Sequence, residues 1–205
     1  HEDFFKKIKS NKTISKKTIL ITPMALSEFN GNIDTNTYLR FEKLLVKIFT
    51  ILKKIPNTKI IVKMHPTLSP GNEYIKKLIF NINSDVKIFQ MEPILDIIES
   101  CDMMINITTE LFPSTVLYEG LIMNKPVMNI DMMDEKLDLE LFRDEAVISV
   151  TDMDNLNEII QQFVTDYSLQ IQLNTNAKKH LKKYFSNPVN ASEKLANVLL
   201  NYTNE

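Results

Sequence analysis

The chain has 205 residues, of which 44% are hydrophobic, and a formal net charge of −2 at pH 7. A net charge this close to zero is not typical of a nucleic-acid-binding protein, which carries a basic patch. No apolar run approaches the roughly 18 residues of a membrane span, and no signal-peptide pattern is evident. The single cysteine, Cys101, excludes an internal disulfide and fits a reducing compartment, so we expect a cytoplasmic protein.

Six short β-branched runs alternate with amphipathic stretches, which is typical of a parallel sheet built from βαβ units. Residues 1–16 are charged and begin with His1 rather than Met, so they are predicted to be a lead-in or linker. The apolar runs are nearly continuous, as expected for strands covered on both faces. The predicted strands span residues 18–22, 59–64, 86–89, 102–107, 126–130 and 146–150.

The remaining stretches carry apolar residues at helical spacing. Helices are predicted over residues 38–55, 72–80, 93–99, 114–123, 154–165, 168–184 and 191–202. Strand signals stop after Asp166. The predicted fold is therefore α/β: a Rossmann-like domain over 17–166 with a parallel sheet of about six strands, and C-terminal helices over 167–205 that pack back on it. Only three glycines occur, so neither a dinucleotide-binding fingerprint nor a P-loop is present.

The second predicted strand runs directly into His65 and Pro66. Proline cannot continue a central strand and biases the preceding residue towards an extended conformation. The His65 imidazole is therefore expected at the carboxyl edge of the sheet, where open α/β sheets bind their ligands. There it can donate to a phosphate or sugar oxygen; a capping or core histidine is the alternative.

A second group of polar side chains is predicted at the start of the helix over 114–123. Ser114 and Thr115 follow a proline, and their hydroxyls beside unpaired backbone N–H groups favour an anion. Ordinary helix capping is the alternative. Glu119 lies about one turn further along a helix whose neighbouring residues are apolar, and its carboxylate can accept hydrogen bonds from the vicinal hydroxyls of a ribose. An exposed glutamate with good helix propensity is the other possibility.

Two loops are expected at the same edge of the sheet. The turn after the third strand carries Gln90 and Met91, and it can present backbone groups to a planar base with Met91 or Ile94 packed on the face of the base. The long turn after the first strand offers Ser27, with Glu28 and Asn32, as contacts for a donor ligand.

No metal site is predicted. Cys101 and the histidines lack metal-ligand spacing. An acidic cluster lacks the glycine and the spacing of a calcium loop, so it is predicted to be a solvated loop. Its members are Asp131, Asp134, Glu135, Asp138 and Glu140.

With its sites in this order, the chain resembles the C-terminal nucleotide-binding domain of GT-B glycosyltransferases over roughly residues 17–165. The likeness is greatest to capsule and wall polymer enzymes of the polysialyltransferase-like, Kdo-transferase-like and CDP-glycerol glycerophosphotransferase-like types. UDP-GlcNAc 2-epimerases are similar in overall plan. The resemblance rests on the strand that ends in His65-Pro66, on the stretch from Ser114 to Gly120 with Glu119, and on Asn124-Lys125-Pro126-Val127.

The resemblance implies that His65, as the catalytic residue, and Ser114/Thr115 hold the phosphate of the donor. Pro66 would be a further donor-binding residue, Glu119 would lie near the ribose, and the turn with Gln90 and Met91 would lie near the base. It implies a CMP-, CDP- or UDP-linked donor, with CMP or CDP favoured over UDP, and no required metal or other cofactor.

The resemblance also implies a saccharide acceptor and a role in surface polysaccharide synthesis. The general base would come from an N-terminal domain or a partner subunit outside this chain. Localisation would be cytoplasmic, with peripheral attachment to the inner membrane through a region outside this chain as a further option.

The sequence departs from the family pattern before Ser114, where Glu110-Leu111-Phe112-Pro113 replaces the usual small residues. Two alternatives stay open: an epimerase-like enzyme half, which requires acidic residues in its cleft, and a non-catalytic Rossmann-like binding or assembly module. The transferase hypothesis requires His65 and the Ser114/Thr115 pair to meet in one cleft.

Overall fold

The computed structural model describes residues 16–24, 35–109, 114–132 and 138–185. Six parallel strands form one sheet in the order β3-β2-β1-β4-β5-β6. All six predicted strands are present, with ends within two residues of the predicted ones. The strands are β1 (Lys17–Pro23), β2 (Thr58–Lys63), β3 (Lys87–Phe89), β4 (Met103–Thr108), β5 (Val127–Asp131) and β6 (Ile148–Val150).

Helices connect and cover the strands, so the predicted Rossmann-like α/β class is confirmed. Within the described residues they are α1 (Thr35–Lys54), α2 (Pro70–Ile82), α3 (Ile94–Glu99), α4 (Val116–Ile122), α5 (Glu140–Arg143), α6 (Leu156–Thr165) and α7 (Tyr167–Tyr184). The single-turn helix α5 was not predicted, because one turn is too short to create a periodic pattern. The predicted helix over 191–202 and residues 1–15 of the lead-in lie outside the described residues. The division of the chain at residues 16 and 166 stays a prediction.

The two faces of the sheet are covered by different helices. One face packs against α1, α2 and α6, and the other against α3, α4 and α5, while α7 contributes Leu173 to the first layer and Ala177 to the second. Within β4, Met103 and Ile105 point into the first layer and Met104 into the second. Burial on both faces accounts for the continuous apolar runs. No helix in the described ranges combines the length and the hydrophobicity that crossing a membrane requires.

A row of polar side chains interrupts the second face near the carboxyl ends of the strands. Thr22 pairs in register with Asn106, Asn106 with Asn129, and Asn129 with Ser149. Lys63 follows Val62, which pairs with Ile21, so Lys63 lies beside Thr22. In register order the row is Lys63, Thr22, Asn106, Asn129 and Ser149. The strand order reverses between β1 and β4, so the row crosses the position at which open α/β sheets bind ligands.

Candidate functional site

A cleft of about 560 Å³ opens at the carboxyl ends of β1, β2 and β4. This volume lies within the usual range for small-molecule sites. Ser27, like Glu28 and Asn32, lies outside the described residues. The structure brings all the other sequence-predicted site residues to this one cleft, namely His65, Pro66, Gln90, Met91, Ser114, Thr115 and Glu119.

His65 lies exposed at the rim of the cleft, one residue beyond the buried Met64. Its Nδ1 accepts a hydrogen bond from the Thr67 backbone N–H at 3.3 Å and lies 2.8 Å from Thr67 Oγ1. A backbone N–H can only donate, so Nδ1 is an acceptor and the neutral ring carries its proton on Nε2. The exposure of His65 rules out a core histidine, and Nε2–H is the group that a ligand in the cleft can use.

Two side-chain amides hold the turn that carries His65. Asn72 is fully buried near the start of α2, and its Nδ2 donates to the carbonyls of His65, at 3.1 Å, and Thr67. Gln90 Nε2 donates to the same two carbonyls, at 3.3 and 3.1 Å. The Gln90 Nε2 group therefore braces the turn, while Gln90 also lines the cleft. Asn72 was missed in the sequence, where its signal was a polar residue on the buried face of a predicted helix.

Replacing Asn72 by alanine is expected to lower the free energy of unfolding by about 1 kcal/mol, because two hydrogen bonds to the turn are lost while Gln90 still bonds both carbonyls. Urea denaturation measures this change. The matched control is Asn81→Ala, at an exposed position of the same helix. Equal unfolding free energies for the two variants would show that Asn72 does not brace the turn.

The turn after β3 forms a second wall. The Gln90 N–H donates to Glu92 Oε2 at 2.8 Å, and the Gln90 carbonyl accepts from Lys63 Nζ at 2.7 Å. Backbone N–H groups, first that of Glu92 itself and then that of Gln90, hold the pKa of Glu92 below its ordinary value. Both backbone groups of Gln90 are thus occupied. From this turn a ligand meets the Met91 side chain, which is 70% exposed, and the Glu92 carboxylate.

The third wall comes from α4 and the residues before it. The helix begins at Val116, so the predicted start at Ser114 was wrong by two residues. Thr115 precedes the helix with helical angles (φ −59°, ψ −25°), and its side chain makes no capping hydrogen bond. Its hydroxyl is therefore not used for ordinary capping. Glu119 is partly buried and lines the cleft one turn along the helix.

The third stretch behind the family resemblance has a structural role. Asn124 has φ 55°, in the left-handed region that asparagine tolerates better than most residues, and its N–H bonds the Leu121 carbonyl at 2.9 Å. Lys125 Nζ donates to the carbonyls of Glu99, at 3.2 Å, and Cys101. These contacts tie the turn after α4 to the end of α3 and to the segment before β4, and their residues are not among those that line the cleft.

The floor of the cleft consists of residues that were not predicted as site residues: Thr22, Lys63 and Asn106. The Thr22 hydroxyl lies 3.0 Å from Asn106 Oδ1, to which it donates. Asn106 Nδ2 donates to Asn129 Oδ1 at 2.6 Å and to Thr108 Oγ1 at 3.1 Å, and the Thr108 hydroxyl donates to Asn129 Oδ1 at 2.7 Å. The available signal was a polar residue at the same level of successive apolar strands.

Other candidate chemistry lies away from the cleft. Burial raises the pKa of the Cys101 thiol to about 11, so this thiol is a poor nucleophile. His180 is buried and bonds Asp144 at 2.8 Å through Nδ1. Within the described ranges, no three histidine, cysteine or acidic side chains are grouped so that they could hold a metal ion.

The prediction of a solvated acidic loop was wrong for two members of the cluster. Asp131 is the last residue of β5 and is only 1% exposed. Glu140 is exposed, as predicted, but it begins α5 and does not lie in a loop. Asp138 is exposed and pairs with Arg143. Asp134 and Glu135 lie outside the described residues.

No protein-family model matches the sequence, and no match to a curated protein was found. Solved structures do match the fold. WaaG, a glycosyltransferase involved in lipopolysaccharide biosynthesis, superposes with a TM-score of 0.58 at 15% identity, over 96% of this chain and 50% of that one. The chain shares the Rossmann-like fold of GT-B glycosyltransferases.

Two other matches were solved with nucleotides. HepE of Anabaena in complex with UDP-glucose matches with a TM-score of 0.59 at 16% identity, over 98% of this chain and 53% of HepE. MnaA of S. aureus with UDP matches with a TM-score of 0.56 at 12% identity, over 84% and 47% of the two chains. At these identities the likeness establishes the fold alone. The chain spans about half the length of each of these three structures.

Proposed function

We propose that this chain is the donor-nucleotide-binding domain of a glycosyltransferase, or of a glycerophosphate-type transferase, that acts in surface polysaccharide synthesis. The observation that supports this function is that His65, the Ser114/Thr115 pair and Glu119 line a single cleft, although His65 is far from the other three in the sequence. The cleft lies at the carboxyl edge of a parallel sheet, next to the point where the strand order reverses.

Each lining residue has a role in this proposal. The donor phosphate lies between His65 Nε2–H and the hydroxyls of Ser114 and Thr115, and these donors stabilise the negative charge that develops on the leaving phosphate. Glu119 accepts hydrogen bonds from the ribose hydroxyls. Met91, with its exposed thioether side chain, packs on the base. His65 is the proposed catalytic residue because it contacts the group that leaves.

The groups that bind and activate the acceptor are proposed to lie outside the described residues. A saccharide acceptor and the base that deprotonates it would come from an N-terminal domain or a partner subunit, since this chain covers about half of WaaG and HepE. The proposed donor carries a pyrimidine nucleotide. The family resemblance favours CMP or CDP, while HepE and MnaA were solved with uridine nucleotides.

One observation favours a second candidate, an epimerase-like enzyme half. Two carboxylates, Glu92 and Glu119, line the cleft, and proton transfer at a sugar carbon requires acidic or basic groups. Such an enzyme would consume UDP-GlcNAc with no acceptor present. The transferase would need an acceptor.

Calorimetric titration of CMP, CDP, UDP and GDP tests the proposal. We expect one pyrimidine nucleotide to bind, and His65→Ala to weaken it by about 10- to 100-fold, because a hydrogen bond to a charged phosphate contributes about 1.5–3 kcal/mol. Ser114→Ala and Thr115→Val are each expected to weaken nucleotide binding by about tenfold, the lower end of the same range.

The matched control is Ser168→Ala, which removes an exposed hydroxyl near the start of α7, away from the cleft, and should leave affinity unchanged. If no nucleotide binds the unmodified protein, the chain is a non-catalytic module. Equal affinities of the unmodified protein and the His65 variant would remove the phosphate contact from the proposal.

A further inference from the structure

Lys63 is a charged residue inside the apolar strand β2. Its side chain is 7% exposed, and Val62 and Met64 on either side of it are almost completely buried. Lysine is rarely buried to this extent unless its ammonium group is paired, since removing that group from water costs free energy. The contacts of the ammonium group therefore indicate what Lys63 does.

The ammonium group links two walls of the cleft. Nζ donates to the Met64 carbonyl at 2.9 Å and to the Gln90 carbonyl at 2.7 Å. The first carbonyl lies next to His65, and the second lies next to Met91. An ammonium group has three N–H donors, and these bonds use two of them. Lys63 also lines the cleft, so its third N–H remains for a ligand.

Charge gives Lys63 a second role. Glu92 and Glu119 line the same cleft, and among the described lining residues Lys63 is the sole lysine or arginine. Burial lowers the pKa of Lys63, whereas the two carboxylates act in the opposite direction. Without this ammonium group, an anionic ligand would meet two carboxylates and no lysine or arginine among the described lining residues.

We propose that Lys63 is an anion-binding and positioning residue, which balances Glu92 and Glu119 and holds the His65 and Gln90 turns so that phosphate groups can enter the cleft. The nucleotide nature of the ligand rests on the proposed function. The affinity for phosphate groups does not, so the two can be tested separately.

Calorimetry with inorganic pyrophosphate, with CDP and UDP, and with the corresponding nucleosides tests this role. Lys63→Met is expected to weaken pyrophosphate and nucleotide binding by about tenfold or more. Methionine has a side chain of similar length to lysine but lacks the charged donor. Nucleoside binding should change by no more than about twofold, since the nucleoside carries no charge. Lys63→Arg should keep most of the affinity, because it keeps the charge.

A second substitution separates charge from packing. Adding Glu92→Gln to Lys63→Met should restore part of the pyrophosphate affinity, because one of the unbalanced carboxylates is removed. Glu92→Gln alone should increase pyrophosphate affinity, which tests the charge balance even if Lys63→Met does not fold. Glu92 is exposed, so this substitution leaves the core intact.

Each outcome is decisive. Unchanged pyrophosphate affinity in Lys63→Met, or equal losses for nucleoside and nucleotide, would overturn the role of Lys63 and leave the proposed function standing if UDP or CDP still binds. If pyrophosphate binds in a way that depends on Lys63 but no nucleotide binds, the proposed function would be overturned and the proposed role of Lys63 supported. If the unmodified protein binds neither pyrophosphate nor nucleotide, both are wrong.

Discussion

Replacing Asn106 by aspartate is expected to lower the free energy of unfolding by about 3 kcal/mol or more, since the new carboxylate is a buried, unpaired charge. Asn106 is fully buried, and its Nδ2 donates to the acceptor Oδ1 of Asn129 at 2.6 Å. A carboxylate oxygen in the place of Asn106 Nδ2 would face Asn129 Oδ1, which is also an acceptor. Asn106→Ala should cost less, about 2 kcal/mol, because it removes hydrogen bonds without adding a charge.

Urea denaturation of both variants at neutral pH measures which of them is the less stable. Lowering the pH to about 5 should reduce the difference in unfolding free energy between the aspartate and alanine variants. Burial raises the pKa of a carboxyl group, and protonation removes its charge. Asn157→Asp, at an exposed position in the first turn of α6, is the control and should change stability by about 0.5 kcal/mol or less. An aspartate variant as stable as the alanine variant would show that a carboxylate at this position is not an unpaired buried charge. Asn106 also lines the cleft, so nucleotide affinity should fall in both variants.

Gly120→Val is expected to destabilise the protein by about 3 kcal/mol, through overpacking between α4 and the sheet. A Cβ atom at Gly120 would lie 2.7 Å from Met104 Sδ and 2.8 Å from Val127 Cγ2. Met104 is flexible and can move its thioether, but Val127 is branched at Cβ on a buried strand and has little freedom. The absence of a side chain at Gly120 therefore sets how closely α4 approaches β4 and β5.

The same substitution should weaken nucleotide binding, because α4 carries Glu119 next to Gly120 and follows Ser114 and Thr115. Thermal unfolding and nucleotide titration measure the two effects. Ile122→Val, at a position of the same helix that is 60% exposed, should leave both nearly unchanged. Combining Gly120→Ala with Val127→Ala should be less destabilising than the sum of the single changes, since the second vacates the space that the first needs. Additive losses would mean that this contact does not set the position of α4.

Much of the fold follows from local patterns. Continuous apolar runs separated by amphipathic helices predict a parallel sheet, and every predicted strand is present. The meeting of His65 with Ser114 in one cleft follows from the same pattern, because parallel strands place all their carboxyl ends at one edge of the sheet. The sequence by itself therefore determined the class of fold and which turns would lie together.

Only the tertiary structure decided which atoms of those turns are available. The Gln90 amide nitrogen and backbone groups are engaged by the His65 turn, by Lys63 and by Glu92, so these atoms are already bonded although Gln90 lines the cleft. Asn106 joins the floor through its register with Thr22. Hydrogen-bond partners of this kind depend on the register between neighbouring strands that are distant in the sequence. A local pattern of hydrophobic and polar residues contains no information on that register.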